Sequence, residues 1–248
     1  MSKATDALLA AALASVIPVL ANAGACATDI FESVPFTYCE IDPLSEDLRL
    51  WHMAPDGLVY GTFDRINEVL SKQGRTLGIA MNGGMYHEDR SPVGHYVESG
   101  VASVPLMTLP GPGNFGMLPN GVFCFGPEGA TIRETIRFSQ EGSKCSFATQ
   151  SGPMLVIDGL LHHRFLPDGK SRYIRNGVGV RDDGIVVFAI SDLPVNFHRF
   201  ARLFRDRLNT PNALYIDGNV SRFYAPQLGR HDLGFPLGPI VGTTVPAD

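Results

Sequence analysis

The segment that most constrains the fold is residues 212–221, where a short apolar run changes abruptly into a polar, glycine-containing loop. Residues 213–216 are apolar with β-branched and aromatic side chains, and Pro211 precedes them. Such a run between turn residues predicts a buried strand. The strand ends at Asp217 and Gly218, so a carboxylate is expected where a buried strand meets backbone that can closely approach a ligand. An ordinary turn stays open as the alternative, because Asp and Gly are both common in turns.

A helix is predicted directly before this strand. Asn196 is a suitable N-cap, and the residues that follow carry an apolar stripe with the spacing of one helix face. The stripe consists of Phe197, Phe200, Ala201, Phe204 and Leu208. We therefore expect a helix over residues 197–208, a tight turn over 209–212 and then the strand.

Most of the remaining chain has the pattern of short strands separated by Gly, Pro and Asp-Gly turns. The clearest pair is a hairpin between residues 177–181 and 185–190, and residues 130–136 alternate like a further strand. A second helix is expected to be capped by Asp64 and to end near Gly74. Because strands far outnumber helices, we predict an α+β fold: a mixed, strongly curved β-sheet core with a few helices packed outside.

Composition is that of an ordinary globular protein, with 44% hydrophobic and 18% charged residues in a chain of 248. The formal net charge is −5 and the basic residues are scattered, which disfavours a nucleic-acid surface because phosphate binding needs a concentrated basic patch. The expected partner is a small molecule or a glycan. The sequence makes no prediction about the oligomeric state.

The N-terminus has the pattern of an export signal. An apolar run over residues 7–21 ends in a small-residue cleavage motif, and it is too short and too interrupted by Pro for a transmembrane helix. We therefore predict that residues 1–23 are a signal peptide and that residues 24–248 form a single domain. The mature protein would be periplasmic or extracellular and would have no transmembrane span.

Export makes the cysteines informative, because exported thiols tend to form disulfides. The chain has 4 cysteines, for which three pairings exist. We expect nearest-neighbour pairing, Cys26 with Cys39 and Cys124 with Cys145, since no C-x-x-C or Cys/His cluster suggests a metal. A second cleavage motif before Cys26 leaves open a lipid anchor on that residue, which would remove the first disulfide.

Four separate loops carry the residues best suited to chemistry: residues 82–86 (NGGMY), 150–153 (QSGP), 175–177 (RNG) and 217–221 (DGNVS). The sequence lacks the nucleophile elbow, the P-loop, the dinucleotide fingerprint and the H-E-x-x-H motif. We predict no cofactor, and no spacing of His, Cys or carboxylate residues predicts a metal, although a cation held by the carboxylate of the last loop stays open.

The order and spacing of these loops resemble the phosphodiester glycosidase family over roughly residues 48–242. The resembling segments are Asn82-Gly83-Gly84, Ser151-Gly152-Pro153, Arg175 with Asn176-Gly177, and Asp217-Gly218 with Ser221. The family includes an enzyme that removes N-acetylglucosamine from a sugar phosphodiester, and many exported bacterial proteins. The chain departs from the family pattern in its last loop, where Asn219 and Val220 replace two glycines and Arg222 replaces a serine.

The resemblance implies an exported hydrolase that cleaves the glycosidic bond between a sugar and a phosphate. Asp217 would stabilise the developing charge on the sugar, as nucleophile or as base for water, and Arg175 would bind the phosphate through its planar fork. His95 and Glu98 are candidate acids or hydroxyl ligands. The expected substrate-binding residues are Asn82, Gly83, Gly84, Ser151, Gly152, Asn176, Gly218 and Ser221, with the amides of the two adjacent glycines as neutral donors.

Two other functions fit the same residues. The departures at Asn219, Val220 and Arg222 favour a non-catalytic envelope module that binds glycan or peptidoglycan in the same cleft. An enzyme that acts on a different exported diester is the third hypothesis.

We predict that the mature protein lacks residues 1–23, because the apolar run ends in the motif Ala21-Asn22-Ala23. Mass spectrometry of the protein isolated from its native envelope should find an N-terminus after this motif. A protein that retains Met1 or Lys3 would contradict the prediction.

Overall fold

The computed structural model describes residues 25–142 and 144–247, so the predicted signal peptide lies outside the described residues. The strands, in chain order, are β1 (Cys26–Phe31), β2 (Val34–Ile41), β3 (Asp47–Trp51), β4 (Arg75–Asn82), β5 (Tyr96–Glu98), β6 (Val101–Val104), β7 (Gly121–Gly126), β8 (Gly129–Glu134), β9 (Phe147–Ser151), β10 (Met154–Ile157), β11 (Leu160–Leu161), β12 (Asn176–Val180), β13 (Val186–Ser191), β14 (Asn212–Asp217), β15 (Phe223–Ala225), β16 (Arg230–His231) and β17 (Ile240–Pro246). The helices are α1 (Phe63–Ser71), α2 (Thr135–Glu141) and α3 (Phe197–Arg202), with a π-helical turn over Leu203–Arg207 and a 3₁₀ turn over Pro226–Leu228.

The strands of the described residues form one seven-stranded and two five-stranded sheets, in the orders β1-β2-β13-β12-β14-β10-β11, β16-β15-β4-β17-β3 and β6-β5-β9-β7-β8. The predicted α+β class is confirmed. The arrangement differs in detail from the single mixed sheet that was expected. There are three sheets, and every pairing between these strands is antiparallel. A periodic pattern identifies a strand but says little about its partner, whereas short hairpin turns favour antiparallel neighbours.

The three sheets share one apolar core. Its buried side chains include Met81 of β4, Phe123 of β7, and Leu214 and Ile216 of β14. The other face of β14 packs against α3, because Ala213 and Tyr215 belong to a second cluster with Phe200 and Phe204. A strand buried on both faces has a continuous apolar run rather than an alternating one, which explains the run seen in the sequence.

The helices differ from the prediction at their boundaries. The segment expected as a helix over 197–208 is helical, but its second half widens into the π-helical turn. Helix α1 is capped by Thr62, whose hydroxyl accepts the Arg65 N–H at 3.2 Å, and not by Asp64.

The alternating segment 130–136 contains the end of a strand and the start of a helix that was not expected. The side chain of Glu134 accepts the backbone N–H groups of Ile136 and Arg137 and so caps α2. A strand therefore gives way to a helix inside a pattern that the sequence alone assigns to one strand.

The two predicted disulfides are present, Cys26–Cys39 between β1 and β2 and Cys124–Cys145 between β7 and the segment after α2. None of the helices within residues 25–142 and 144–247 is both long and apolar enough to cross a membrane.

Replacing Cys124 and Cys145 together by Ser should lower the free energy of unfolding by about 3 kcal/mol, because the bond closes a loop with a sequence separation of 21. Urea denaturation of the oxidised protein and of the double variant measures the difference. An unchanged denaturation midpoint would contradict this expectation.

Candidate active site

Three strand ends meet at the predicted site. Strand β4 ends at Asn82, while β14 ends at Asp217 directly opposite Asn176, the first residue of β12. The first strand belongs to a five-stranded sheet and the other two to the seven-stranded sheet. The site therefore lies where two sheets meet, and residues far apart in sequence come together there.

Asn82 connects these elements through its side-chain amide. The side chain is fully buried, and its Oδ1 accepts hydrogen bonds from Asn176 Nδ2 at 2.7 Å and from the Arg222 N–H at 2.8 Å. Its Nδ2 donates to Asp217 Oδ2 at 3.2 Å and to the Val220 carbonyl oxygen at 3.0 Å. An amide can donate two hydrogen bonds and accept two, so this one uses its full capacity and fixes both strand ends and the loop between them.

Asp217 is held rigidly, and one of its oxygens stays nearly free. Oδ1 accepts the backbone N–H groups of Asn219 at 2.7 Å and Val220 at 3.1 Å. Oδ2 accepts only the Asn82 amide among the described residues. The residue is 8% exposed and lines a cavity. The carboxylate therefore has a fixed orientation and an oxygen with a lone pair available to a ligand.

The cavity in front of this carboxylate, called here the Asp217 cavity, has a volume of about 680 Å³. Its walls include four aromatic rings, from Tyr86, Phe115, Tyr173 and Tyr215. Part of one wall, residues 112–115, comes from the Pro- and Gly-rich loop before β7. The volume suits a sugar with a further group attached, since ligand sites commonly span about 300–1,000 Å³.

Two of these tyrosines stand close to charges. Burial, helped by the negative charge of Asp217, raises the pKa of Tyr86. Burial also raises the pKa of Tyr215, with Arg175 opposing the shift and Asp217 adding to it. Both hydroxyls therefore stay protonated at neutral pH. The Tyr86 hydroxyl donates to the Pro236 carbonyl oxygen at 3.4 Å, so it can accept a hydrogen bond from a ligand.

Tyr86 and Tyr215 were not among the predicted site residues, although the sequence holds a signal for the second. Tyr215 lies two positions before Asp217 on one strand, and alternate residues of a strand face the same side. Glu88, Arg90 and Tyr173 also line the cavity, and nothing in their local pattern distinguishes them from surface residues.

Arg175 lies beneath the cavity wall rather than in the wall, which corrects the expectation of an open planar fork. The side chain is fully buried, and its guanidinium stacks on Phe197 with 3.6 Å between Cζ and the ring centroid. Nε donates to the Val195 carbonyl oxygen at 3.0 Å, and Nη2 donates to the carbonyl and hydroxyl oxygens of Ser171. Nη1 makes no well-formed hydrogen bond with any described residue, although the nearby Tyr215 hydroxyl favours the charged guanidinium. Burial lowers the pKa of the guanidinium, yet a group of such high pKa stays charged.

Gly218 separates Arg175 from the cavity. A Cβ at this position would collide with the Tyr215 hydroxyl and would lie 3.2 Å from Arg175 Nη1. Glycine is therefore required so that the loop can pass over these two groups, and Nη1 of Arg175 lies behind the loop backbone.

The glycine pair after Asn82 is closely packed against neighbouring strands. A Cβ on Gly83 would lie 2.7 Å from the Ile240 carbonyl carbon, and one on Gly84 would lie 2.7 Å from Thr149 Oγ1. The N–H of Gly83 already donates to the Pro239 carbonyl oxygen at 2.7 Å. These glycines allow close packing of neighbouring strands, and the amide of Gly83 is not free to bind an anion.

The remaining predicted residues divide into supporting and distant ones. Ser151 is buried and donates from Oγ to the Ile216 carbonyl oxygen at 3.4 Å, and Gly152 packs against Asn120. Ser221 donates from Oγ to the Asp217 carbonyl oxygen at 2.9 Å. These contacts stabilise the strand that carries the carboxylate.

His95 and Glu98 do not line the Asp217 cavity. His95 Nδ1 lies 2.8 Å from the Val104 carbonyl oxygen, and Glu98 Oε2 accepts the Tyr96 hydroxyl at 2.8 Å. Burial raises the pKa of Glu98. Their catalytic roles stay predictions. In residues 25–142 and 144–247, no group of three His, Cys, Asp or Glu side chains could hold a metal ion.

Comparison with known proteins agrees with the motif order. The family model for phosphodiester glycosidase matches residues 75–231, a range that contains all four loops. The uncharacterized protein YigE of Escherichia coli (strain K12) is 35% identical over 184 residues, which are 74% of this chain and 72% of that protein.

The fold also occurs in solved structures. The catalytic domain of zebrafish N-acetylglucosamine-1-phosphodiester alpha-N-acetylglucosaminidase, auto-inhibited by its pro-peptide, matches with a TM-score of 0.60 and 13% identity over 88% of this chain and 81% of that chain. A hypothetical protein from Synechocystis matches with a TM-score of 0.63 and 11% identity over 89% of this chain and 61% of that chain. At these identities the likeness establishes the fold alone.

Asn82→Asp should lower the free energy of unfolding by about 3 kcal/mol at neutral pH, because it removes two donors and sets a second carboxylate beside Asp217. The deficit should shrink as the pH falls, since the crowded carboxyl has a raised pKa and its protonation removes the repulsion. Denaturant titrations at several pH values measure both effects.

The matched control is Asn209→Asp at an exposed residue with φ of 54°, a conformation that Asn and Asp both tolerate. Equal effects of the two substitutions at every pH would show that Asn82 does not organise the site.

Proposed function

We propose, since the chain belongs to the phosphodiester glycosidase family, that it is an exported hydrolase that cleaves the bond between a sugar and a phosphate in a phosphodiester or a related envelope glycan. The observation that carries the proposal is the Asp217 carboxylate, which is fixed by three hydrogen bonds and faces an aromatic-lined cavity. The two disulfides support an oxidising compartment.

The chemistry needs little more than a carboxylate and a stabilised leaving group. The bond between the anomeric carbon and the phosphate oxygen breaks, the phosphate monoester leaves with the electron pair, and water supplies hydroxide to the sugar carbon and a proton to the medium. Asp217 Oδ2 either attacks the anomeric carbon or removes the proton from water, and its charge stabilises the oxocarbenium-like transition state. A phosphate leaves as an anion of low basicity, so the reaction does not depend on a dedicated general acid.

Arg175 serves the leaving phosphate through its charge in this proposal. Its Nη1 lies behind Gly218, close to the Tyr215 hydroxyl, which favours the charged guanidinium. Because the guanidinium is buried, its charge acts through a medium of low dielectric constant and is weakly screened. Its remaining hydrogen bonds and the ring of Phe197 hold it in place before the substrate arrives, which is the condition for electrostatic preorganisation.

The departures from the family pattern in the last loop leave this chemistry possible. Asn219 and Val220 replace glycines, yet both act on Asp217 through their backbone N–H groups. Any residue except proline supplies such a donor. The contacts that fix the carboxylate are therefore retained, which supports catalysis over binding alone.

A substrate screen tests the proposal. Sugar-1-phosphodiesters, p-nitrophenyl glycosides and bis-aryl phosphates should be offered to the purified protein, and turnover of the first class is expected. Binding without turnover would favour the glycan-binding module, and turnover of the bis-aryl phosphates alone would favour an enzyme that acts on another diester.

Asp217→Asn should lower kcat on the best sugar phosphodiester by about 10²–10³-fold or more, because the substitution removes the charge that faces the transition state. The fold should survive, since Asn can still accept the two loop N–H groups, although it loses the bond from Asn82 at a cost of about 1 kcal/mol. Steady-state kinetics beside a thermal melting curve measure the two effects.

Asp158→Asn is the control, because Asp158 is exposed, has φ of 47° and forms a surface ion pair with Arg137. Near-normal turnover by a folded Asp217→Asn protein would exclude Asp217 as the catalytic carboxylate.

A further inference from the structure

A second cavity lies on the other side of the loop that follows Asp217. It has a volume of about 840 Å³ and shares Tyr173 and residues 218–220 with the Asp217 cavity. It is called here the Arg222 cavity. The loop thus has one cavity on each side, and a ligand that extends past Gly218 from the first would enter the second.

Arg222 is the unusual residue of this second cavity. It is only 6% exposed, yet its guanidinium forms no hydrogen bond or ion pair with any described residue. A Cβ on Gly234 would lie 2.6 Å from Arg222 Nη2, and Gly234 has φ of +143°, so glycine leaves the space that the guanidinium occupies. Burial lowers the pKa of Arg222, against the opposing influence of Tyr86, Asp232 and Asp217.

A largely buried charge without a directly bonded partner is costly to a folded protein, and such an arrangement is typical of a site that binds a ligand of opposite charge. The backbone of the same residue donates to Asn82 Oδ1 at 2.8 Å. The position of this guanidinium is therefore tied to the network that fixes Asp217.

The other charged groups of the Arg222 cavity form no ion pair with this guanidinium within the described residues, although Asp232 and Asp217 favour its charged form. Arg230 pairs with Asp192 and Asp232, so its charge and that of Asp232 are already engaged. Arg172 lines the cavity, is exposed and has no ion pair among the described residues. The wall therefore presents two unpaired guanidinium groups, in a chain whose formal net charge is −5.

We propose that the Arg222 cavity binds a second anionic group of the substrate, a phosphate or a carboxylate, between Arg222 and Arg172. This inference rests on the proposed function and names its substrate class. The preferred substrates are sugar phosphodiesters whose alcohol part carries a further negative charge. The sugar occupies the Asp217 cavity, the scissile phosphate lies at Gly218, and the second anion lies beyond the loop.

Inorganic phosphate tests the anion site without any turnover. Isothermal titration calorimetry should show phosphate binding to the wild type, weakened about tenfold or more in Arg222→Gln and in Arg172→Gln, because each variant loses a charge-assisted contact. Arg164→Gln, at an exposed arginine that lines neither cavity, should bind as the wild type does. If Arg222→Gln does not fold, the exposed Arg172→Gln gives the same test.

A pair of substrates tests the assignment to the reaction. Two sugar-1-phosphodiesters should be compared, one with an uncharged alcohol and one whose alcohol carries a second phosphate. The wild type should prefer the second by about tenfold or more in kcat/KM, and Arg222→Gln and Arg172→Gln should lose that preference while Arg164→Gln retains it.

The experiments distinguish a failure of the proposed function from a failure of the second anion site. If phosphate binding depends on the two arginines but neither substrate is turned over, the proposed function is wrong. The anion site would then not be a site for part of such a substrate. Turnover of both substrates with equal kcat/KM, or a preference that survives in both arginine variants, would overturn the second anion site alone. Phosphate binding unaffected by either variant would overturn it as well.

Discussion

The hydrogen bonds of the Asn82 side chain are the interaction on which the rest of the site depends. They connect the end of β4 in one sheet with the start of β12 and the end of β14 in another, and they reach the loop after β14 at Val220 and Arg222. A buried amide with every donor and acceptor satisfied stabilises one arrangement and excludes neighbouring ones, since each lost partner costs desolvation free energy. The position of Asp217 is thus set by the joint between two sheets, and this joint is more rigid than a loop could be alone.

Two guanidinium groups lie behind the loop after Asp217, and their burial lowers the stability of the folded protein. Arg175 is buried on aromatic rings, and Arg222 is largely buried and forms no ion pair with any residue that the structure describes. Burial opposes the charged form of both guanidinium groups. A protein selected only for stability would pair or replace such groups, whereas a site that stabilises an anion gains from charges fixed in a poorly solvated place. The exchange of stability for electrostatic preorganisation is common at functional sites.

The glycines near the site have two structural roles, one in the loop after Asp217 and one in the packing of strands. Gly218 lets the loop pass over Tyr215 and Arg175. Gly83 allows close packing against β17 of the same sheet, and Gly84 allows close packing against Thr149 of another sheet. The loop residues Asn219 and Val220 support Asp217 by backbone N–H groups alone. Because these contacts are made by the backbone, the side chains of this loop can differ from the family pattern. Arg222, which differs from that pattern, places a cation beside the second cavity.

The sequence by itself determined those features that depend on neighbours along the chain. The apolar run before Asp217, the stripe after Asn196 and the Gly-terminated strands identify the elements, since strand and helix periods are local properties. Nearest-neighbour pairing of the cysteines and the order of the four loops were also contained in it. Tertiary structure alone decided which loop faces which. It formed the four hydrogen bonds of the Asn82 side chain and buried Arg175 behind Gly218. It also placed Glu98 and His95 outside the Asp217 cavity and left Arg222 without an ion pair among the described residues. These outcomes depend on the order of strands in three sheets and on the packing of one sheet against another, and a local pattern carries no information about strand partners.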